Sequence, residues 1–504
     1  MYTFLFLSLA IISVAYLFFK KKHDYWKLRG VPYPRPSLIF GNVGEAIMLR
    51  ARLSDLLHKV YNEYRGYYYV GLFNFWNPAV VIRNPEIIKD VLIKQFGNFH
   101  NNWIDVELNI DPIIGFNPFV LNDGLWKTIR TQLTPQLTSS KIKSMFPLIN
   151  KGCKNMVEYI KKKTDDNETQ GIELKDLSAR FTGDNVISCA YGLDGNSFNV
   201  KTPDSFKIGE HISSQSKLVQ LKQTIALFLP LLRKIFKTTF LGDPVPKMFS
   251  DIVLETIKYR EENNIERNDY LGYLKELKTK TSPIETTNDM VVAHAFTFFL
   301  DGFETSSLTL AYGLLELALH PDIQRKAQKE IQTILEKHNN ALTYEAVQEM
   351  EYVDNILSET LRKHPIILFL SRICTDNHTF PPPQGPGTGK DVVIEKGTHI
   401  FIPVYSVHND SDYYPNPELF DPDRFTEDAR NSRPKCCFLG FGDGPRICLG
   451  RKFAIAQVKL GLISILSNFD LKVNKKTCLP VEYENVHVFN SPKTDIWLDF
   501  CKRL

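Results

Sequence analysis

Apolar and polar positions divide this chain into stretches of distinct period. Tyr2 to Phe19 is an uninterrupted uncharged run, mostly Leu, Phe, Ile, Val and Ala, closed by Lys20, Lys21 and Lys22. As a helix it would reach roughly 27 Å, near the ~30 Å thickness of a bilayer core. The lysines behind it place the rest of the chain in the cytosol. A cleaved signal would carry positive charge before the run and a small-residue cleavage site after it, and a mitochondrial presequence would be rich in Arg and Ser. The sequence has neither pattern, which predicts a retained membrane anchor over residues 1–22. Pro32, Pro34 and Pro36 then stiffen a hinge over 23–36 that cannot continue the helix. One large domain without internal repeats is expected over 37–504.

Within that domain, Tyr67–Leu72 and Ala79–Ile82 read as short strands with Asn77-Pro78 as the turn between them, and Pro85–Phe96 reads as a helix. Leu218–Leu241 is rich in Leu, Ile and Phe, with Lys222, Arg233, Lys234 and Lys237 interspersed and a break at Pro230. It reads equally as two basic surface helices dipping into a membrane interface or as core helices with a solvated face. Thr287–Leu319 is the longest helical pattern, about 50 Å if unbroken, capped by Thr287 or Asn288 and ended before Pro321. Its middle is Phe298-Phe299-Leu300-Asp301-Gly302-Phe303-Glu304-Thr305-Ser306. Gly302 costs about 1 kcal/mol there, a weak point of the kind that accompanies a local widening at functional sites.

A second apolar period, Phe453, Ala456, Val458, Leu460, Ile463 and Leu466, predicts a helix immediately after Phe441-Gly442-Asp443-Gly444-Pro445-Arg446-Ile447-Cys448-Leu449-Gly450. Cys448 therefore stands just ahead of a helix N-terminus, where free N–H groups and the helix dipole favour a thiolate. Such a sulfur in an apolar pocket suits an axial bond to haem iron. A buried structural cysteine in a glycine-rich turn is the plainer alternative. The pattern Phe-x-x-Gly-x-Arg-x-Cys-x-Gly would arise by accident on the order of once in several thousand chains, which argues against it. Trp126 and Arg130 are four apart on a further helical stretch, so an indole N–H and a guanidinium share one face, an arrangement suited to a carboxylate. Glu359 and Arg362 are likewise helical neighbours.

These residues, in this order, resemble the cytochrome P450 superfamily of haem–thiolate monooxygenases. The run Phe299-Leu300-Asp301-Gly302-Phe303-Glu304-Thr305-Ser306-Ser307 resembles its insect microsomal family 6 most. The resemblance implies a mainly α fold with small β-sheets, preceded by a transmembrane helix. It implies haem b, with Cys448 as axial ligand of the iron and Phe441, Gly444, Arg446 and Gly450 shaping the loop around it. Trp126, Arg130, Arg372 and Arg446 would bind the propionates. Thr305 and Glu304 would deliver protons to oxygen. Glu359, Arg362 and Arg424 would form a buried ionic lock. Phe116, Phe119, Phe298, Phe299, Phe303, Ile366, Ile367 and Phe489 would line a greasy substrate pocket, although core packing predicts phenylalanines too.

The implied reaction inserts one atom of O2 into a small lipophilic substrate, a xenobiotic or an endogenous hydrophobic compound. Its electrons come from NADPH through cytochrome P450 reductase, with cytochrome b5 as a second donor, at the cytosolic face of the endoplasmic reticulum membrane. Asp301 departs from the alanine commonest at its position. It is expected to sit protonated or hydrated in the pocket, to turn toward a neighbouring helix, or to form an ester with a haem methyl. Asp423 stands where Glu is usual and Ile366 where a second proline is common. A haem–thiolate isomerase or dehydratase and a non-enzymatic haem-binding protein are the rival readings, and Thr305 and Glu304 argue against both.

Composition narrows this further. A net charge of +4 over 504 residues, without zinc-finger spacing or a sustained basic run, gives no ground for nucleic acid binding. The eight cysteines show no Cys-x-x-Cys pair and no regular spacing, which points away from a disulfide framework and toward a reducing compartment. Arg433, Lys435, Arg451 and Lys452 flank Cys448 and suit either an acidic redox partner or plain solvation.

Overall fold

The computed structural model describes the chain except residues 1, 166–170, 202, 204–216, 230–234, 236, 238, 243–244, 280–283, 485–488 and 504. Helix α1 (Tyr2–His23) absorbs the apolar run and carries on through its lysines. Among the described residues it is the one helix long and apolar enough to cross a membrane, and its apolar side chains are exposed along most of its length. Its C-terminal end is docked on the domain. Phe19 packs on Trp76 with ring centroids 5.9 Å apart, and His23 Nε2 hydrogen-bonds to the Phe75 carbonyl at 3.1 Å. The proline segment is pinned as well: the Gly71 N–H donates to Pro32 O at 2.8 Å, and the Trp26 indole donates to Leu72 O at 2.9 Å.

Strands β1 (Tyr69–Asn74) and β2 (Asn77–Ile82) form an antiparallel hairpin, but its turn is Phe75-Trp76 rather than Asn77-Pro78. Phe75 takes the left-handed conformation the turn needs, with φ 55°. Pro78 opposes Phe73 inside the hairpin and stands one residue before β2 begins to pair with β7 (His399–Ile402), so its missing N–H interrupts nothing in that parallel ladder. With β4 (Leu370–Ile373) the sheet runs β1-β2-β7-β4, and Arg372 lies opposite Ile400. The remaining strands are β3 (Ile172–Glu173), β8 (Phe469–Val473) and β9 (Trp497–Lys502) in one small sheet, and β5 (His378–Phe380) with β6 (Val392–Ile394) in another.

The helical body is built around α5 (Asn288–Leu319), which packs on α4 (Leu174–Val186), α6 (Glu351–Lys363) and α7 (Arg451–Leu466). α7 in turn packs on α3 (Ser139–Asp165). Thr287 caps α5 by accepting from Met290 N at 3.3 Å. The widening expected at Gly302 is not there: α5 stays α-helical throughout. Instead, side chains from two neighbouring helices reach its carbonyls. Gln457 Nε2 donates to Gly302 O at 2.9 Å and Thr182 Oγ1 to Phe303 O at 3.1 Å. In the Leu218–Leu241 stretch the first helix runs to Phe228, and Pro230, Arg233 and Lys234 lie outside the described residues.

Candidate active site

Two left-handed glycines and one short hydrogen bond shape the loop before α7. Gly442 and Gly444 both have φ 71°, and the Cys448 N–H donates to Phe441 O at 2.8 Å, which folds the loop back on itself. A Cβ on Gly444 would lie 1.9 Å from the Leu92 carbonyl oxygen, so no side chain fits there. Gly450 caps α7, and its N–H points at the Cys448 sulfur. Cys448 and Asp301 both touch open space although protein surrounds them, so they face an internal hollow rather than the outer surface.

Burial pushes the Cys448 thiol up to about 11, against the pull of the Gly450 N–H, and Asp301 adds to the rise while Arg130 and Arg451 oppose it. Loss of water thus opposes the thiolate that the Gly450 N–H favours. A cation bonded to the sulfur is what would hold it deprotonated.

Around the same loop three guanidiniums converge. Arg130, on α2 (Asp123–Leu133), donates to Ile447 O at 2.6 Å. Arg372 on β4 donates to Asn102 Oδ1 at 2.6 Å and leaves its buried Nε without a partner. Arg446 donates to Leu121 O at 2.7 Å and lies 4.2 Å over the Trp126 ring. Trp126 is thus a platform under Arg446 more than a companion of Arg130. Burial, then Arg372 and Arg130, pull Arg446 down to about 9, and burial pulls Arg372 down to about 10. Among the described residues Asp123 is the carboxylate that counters Arg446, so the cluster calls for further negative charge, which the two propionates of haem would supply. His100 and Asn102 join this cluster and carry no sequence signal: His100 offers its carbonyl to Arg446 Nε and meets Asp123 Oδ1 at 3.0 Å.

On α5, Asp301 accepts from Asn117 Nδ2 at 3.3 Å, and burial raises its carboxyl from an ordinary 3.8 to about 6. The ionised form is the disfavoured one, so its burden on the fold is absent below pH 3.8 and complete above pH 6. Asp301→Asn is expected to raise the thermal midpoint above pH 6 and to leave it unchanged below pH 4, as read by unfolding across that range. Thr305 Oγ1 donates to Asp301 O at 2.5 Å. Glu304 pairs with Lys175 of α4 at 3.6 Å.

Glu359, Arg362 and Arg424 meet in one ionic cluster. Arg362 grips Glu359 with two bonds of 2.6 and 2.8 Å, both side chains fully buried, and Arg424 Nε stands 3.6 Å from the same carboxylate. Asp421 N donates to Glu359 Oε1 at 2.9 Å. His408, which the motifs did not single out, links this lock to the cysteine loop. Leu439 N donates to its Nε2 at 2.8 Å, leaving Nδ1 to donate to Arg362 O at 3.2 Å. Burial, then Arg362, pull His408 down to about 3, which keeps the ring neutral as this bonding requires. His408→Phe keeps the stacking on Phe438 but strands both backbone groups, so a loss of about 1–3 kcal/mol in denaturant unfolding is expected.

The expected pocket residues divide. Phe119 is exposed, while Phe116, Ile367 and Phe489 are half-buried and Ile366 is buried. Phe298 packs on Tyr270 and Phe453, and Phe299 lies between Phe249 and Phe303, the contacts of core side chains. Of the basic residues flanking Cys448, Arg433 turns inward over Tyr414 and Phe425, whereas Lys435, Arg451 and Lys452 stay exposed.

A helical body with small sheets, a cysteine at a glycine-shaped loop and an arginine cluster beside it define a haem–thiolate protein. The cytochrome P450 profile matches residues 31–498, and the chain belongs to that family of monooxygenases, which use haem and O2. It is 36% identical to cytochrome P450 6j1 of Blattella germanica, with 92% of this chain and 91% of that one covered. It is 33% identical to probable cytochrome P450 6a20 of Drosophila melanogaster over 98% of each chain. Cytochrome P450 9e2 of Blattella germanica is also 33% identical, over 94% of this chain and 92% of its own length.

Proposed function

We propose that this chain is a membrane-anchored monooxygenase that inserts one atom of O2 into a small lipophilic substrate, with electrons from NADPH delivered by a flavoprotein reductase. The anchor is residues 1–22 and the catalytic domain 37–504, on the cytosolic face of the endoplasmic reticulum. The observation that carries the reading is the meeting, around one hollow, of the Cys448 sulfur, three under-neutralised guanidiniums and the Asp301–Thr305 face of α5.

Haem, when bound, supplies the iron centre at which oxygen is activated. Cys448 would hold that iron by its sulfur, and Arg130, Arg372 and Arg446 would neutralise the propionates. The lock of Glu359, Arg362 and Arg424, passed on through His408, fixes the loop bearing the sulfur. Thr305 holds a hydroxyl proton at the hollow. Glu304, against the half-exposed Lys175, connects the middle of α5 to water outside. Lys435, Arg451 and Lys452 form the docking face for an acidic reductase, with cytochrome b5 as a second acidic partner. Reductase affinity is expected to fall as salt rises, and a salt-independent affinity would contradict this docking.

Thr305→Ala is expected to keep consuming NADPH with purified reductase while product formed per NADPH falls by about tenfold or more. Product and NADPH are quantified together. Unchanged coupling would remove Thr305 from the reaction.

A further inference from the structure

One buried ionic cluster has no part in the chemistry above. Glu316 on α5 is almost fully buried, and three basic side chains meet it. His364 Nε2 bonds to Oε1 at 2.6 Å, Lys363 Nζ donates to Oε2 at 3.1 Å, and His320 Nδ1 stands 3.4 Å from Oε2. Burial pushes the Glu316 carboxyl up, but the hydrogen bond from His364 and the charge of its neighbours hold it below the usual range. It is a second buried ionic cluster, beside the C-terminal end of α6.

The cluster extends outward from His364. Its Nδ1 shares a hydrogen bond of 2.9 Å with the Tyr483 hydroxyl, and its ring is stacked on Tyr312, centroids 4.6 Å apart and 11° from parallel. Tyr312, one turn before Glu316 on α5, donates its hydroxyl to Asn490 O at 2.6 Å. Asn490 N donates to Ile366 O at 3.0 Å, and Tyr483 bridges Pro492 across the C-terminal hairpin. Arg52 closes the outer side, with Nη1 on Asn490 Oδ1 at 3.3 Å.

Two pocket segments leave this cluster directly. Ile366 and Ile367 follow His364 in the chain, and Phe489 precedes Asn490. They come from distant parts of the sequence and pair with each other through one backbone bond, Asn490 N to Ile366 O. Side chains from α5 hold both ends of that bond: Glu316 through His364, and Tyr312 through Asn490 O.

We propose that Glu316, His364 and Tyr483 are positioning residues that set how far the Ile366–Ile367 segment and the Phe489 hairpin stand from α5, and so set the width of the substrate pocket. The inference rests on the reading of the hollow as a haem–thiolate substrate site. Among the described residues no hydrogen bond joins Glu316, His364 or Tyr483 to the Cys448 loop; they act through the wall that a substrate would touch. A displaced wall changes the fit of a bulky ligand while leaving a small one alone.

Tyr483→Phe and His364→Gln test it in the full-length holoprotein by two readouts. The first is amide hydrogen exchange, which needs no substrate. The N–H groups of Glu484, Asn490 and Lys493, all bonded within or next to the hairpin, are expected to exchange about tenfold faster or more in both variants, while those of α7 keep their protection. The second is spectral titration with imidazole and with 1-phenylimidazole, two nitrogen ligands of haem iron. Both variants are expected to bind imidazole as the unaltered protein does and 1-phenylimidazole about tenfold more weakly or more. Unchanged hairpin exchange in both variants, or equal losses for the two ligands, would overturn the proposal. Failure of the unaltered protein to bind either ligand at a thiolate-bound haem would instead defeat the underlying reading of the site.

Discussion

Replacing Glu359 with alanine is expected to cost about 3–5 kcal/mol and to leave a protein without haem. The carboxylate accepts two bonds from Arg362, one from Asp421 N, and faces Arg424 at 3.6 Å. Removing it leaves the fully buried Arg362 guanidinium without its carboxylate and takes one of two acidic neighbours from Arg424. Arg362 also donates to His408 O at 3.0 Å and Leu419 O at 3.1 Å, so its displacement travels to the segments that support the cysteine loop. A loss of that size is a large fraction of the 5–15 kcal/mol that holds a typical domain together. Arg362→Ala should behave the same way. Purified variants are compared by haem content and by unfolding midpoint; normal values for both would show that the triad is dispensable.

Gly444→Ala is expected to be as damaging for a different reason. Its φ of 71° already disfavours an L side chain by roughly 1–2 kcal/mol. The added methyl would also meet the Leu92 carbonyl oxygen at 1.9 Å, and neither a Cβ, which has no rotamer to escape by, nor that backbone oxygen can turn aside. The loop or the Leu92 segment has to move, and the loop carries Arg446 and Cys448. By contrast, a Cβ on Gly450 meets no protein atom within 4 Å, and Gly450→Ala is expected to leave the unfolding midpoint in place. The sequence pattern treats the two glycines alike; equal effects of the two substitutions on folding would contradict the distinction.

That contrast shows what was legible beforehand. Periodicity located α1, α5 and α7, because a long apolar run or stripe has few other ways to be buried or to meet lipid. Fixed spacing singled out Cys448 with Arg446, Trp126 with Arg130, and Glu359 with Arg362, while Arg372 and Arg424 came from the family resemblance. What the sequence hid were partners brought together across long separations: His100 and Asn102 beside the arginines, His408 between the lock and the loop, and Glu316 with Tyr483. Each is an ordinary polar residue locally, and only the fold gives it neighbours. The hairpin turn was misplaced because Asn-Pro is a strong local turn signal, while the β2–β7 register tolerates Pro78 at its margin. Phenylalanines at helical spacing on α5 marked the core, since most sides of a central helix are covered by protein.

The central claim is that the Cys448 sulfur, as a thiolate, is bonded to haem iron. The purified protein is reduced, carbon monoxide is added, and the difference spectrum is recorded. The account predicts the far-red-shifted Soret band given by thiolate-bound haem, and its loss in Cys448→Ser. Folded, haem-loaded protein whose reduced carbon monoxide complex absorbs like a histidine-ligated haem, or an unaltered band in Cys448→Ser, would contradict it.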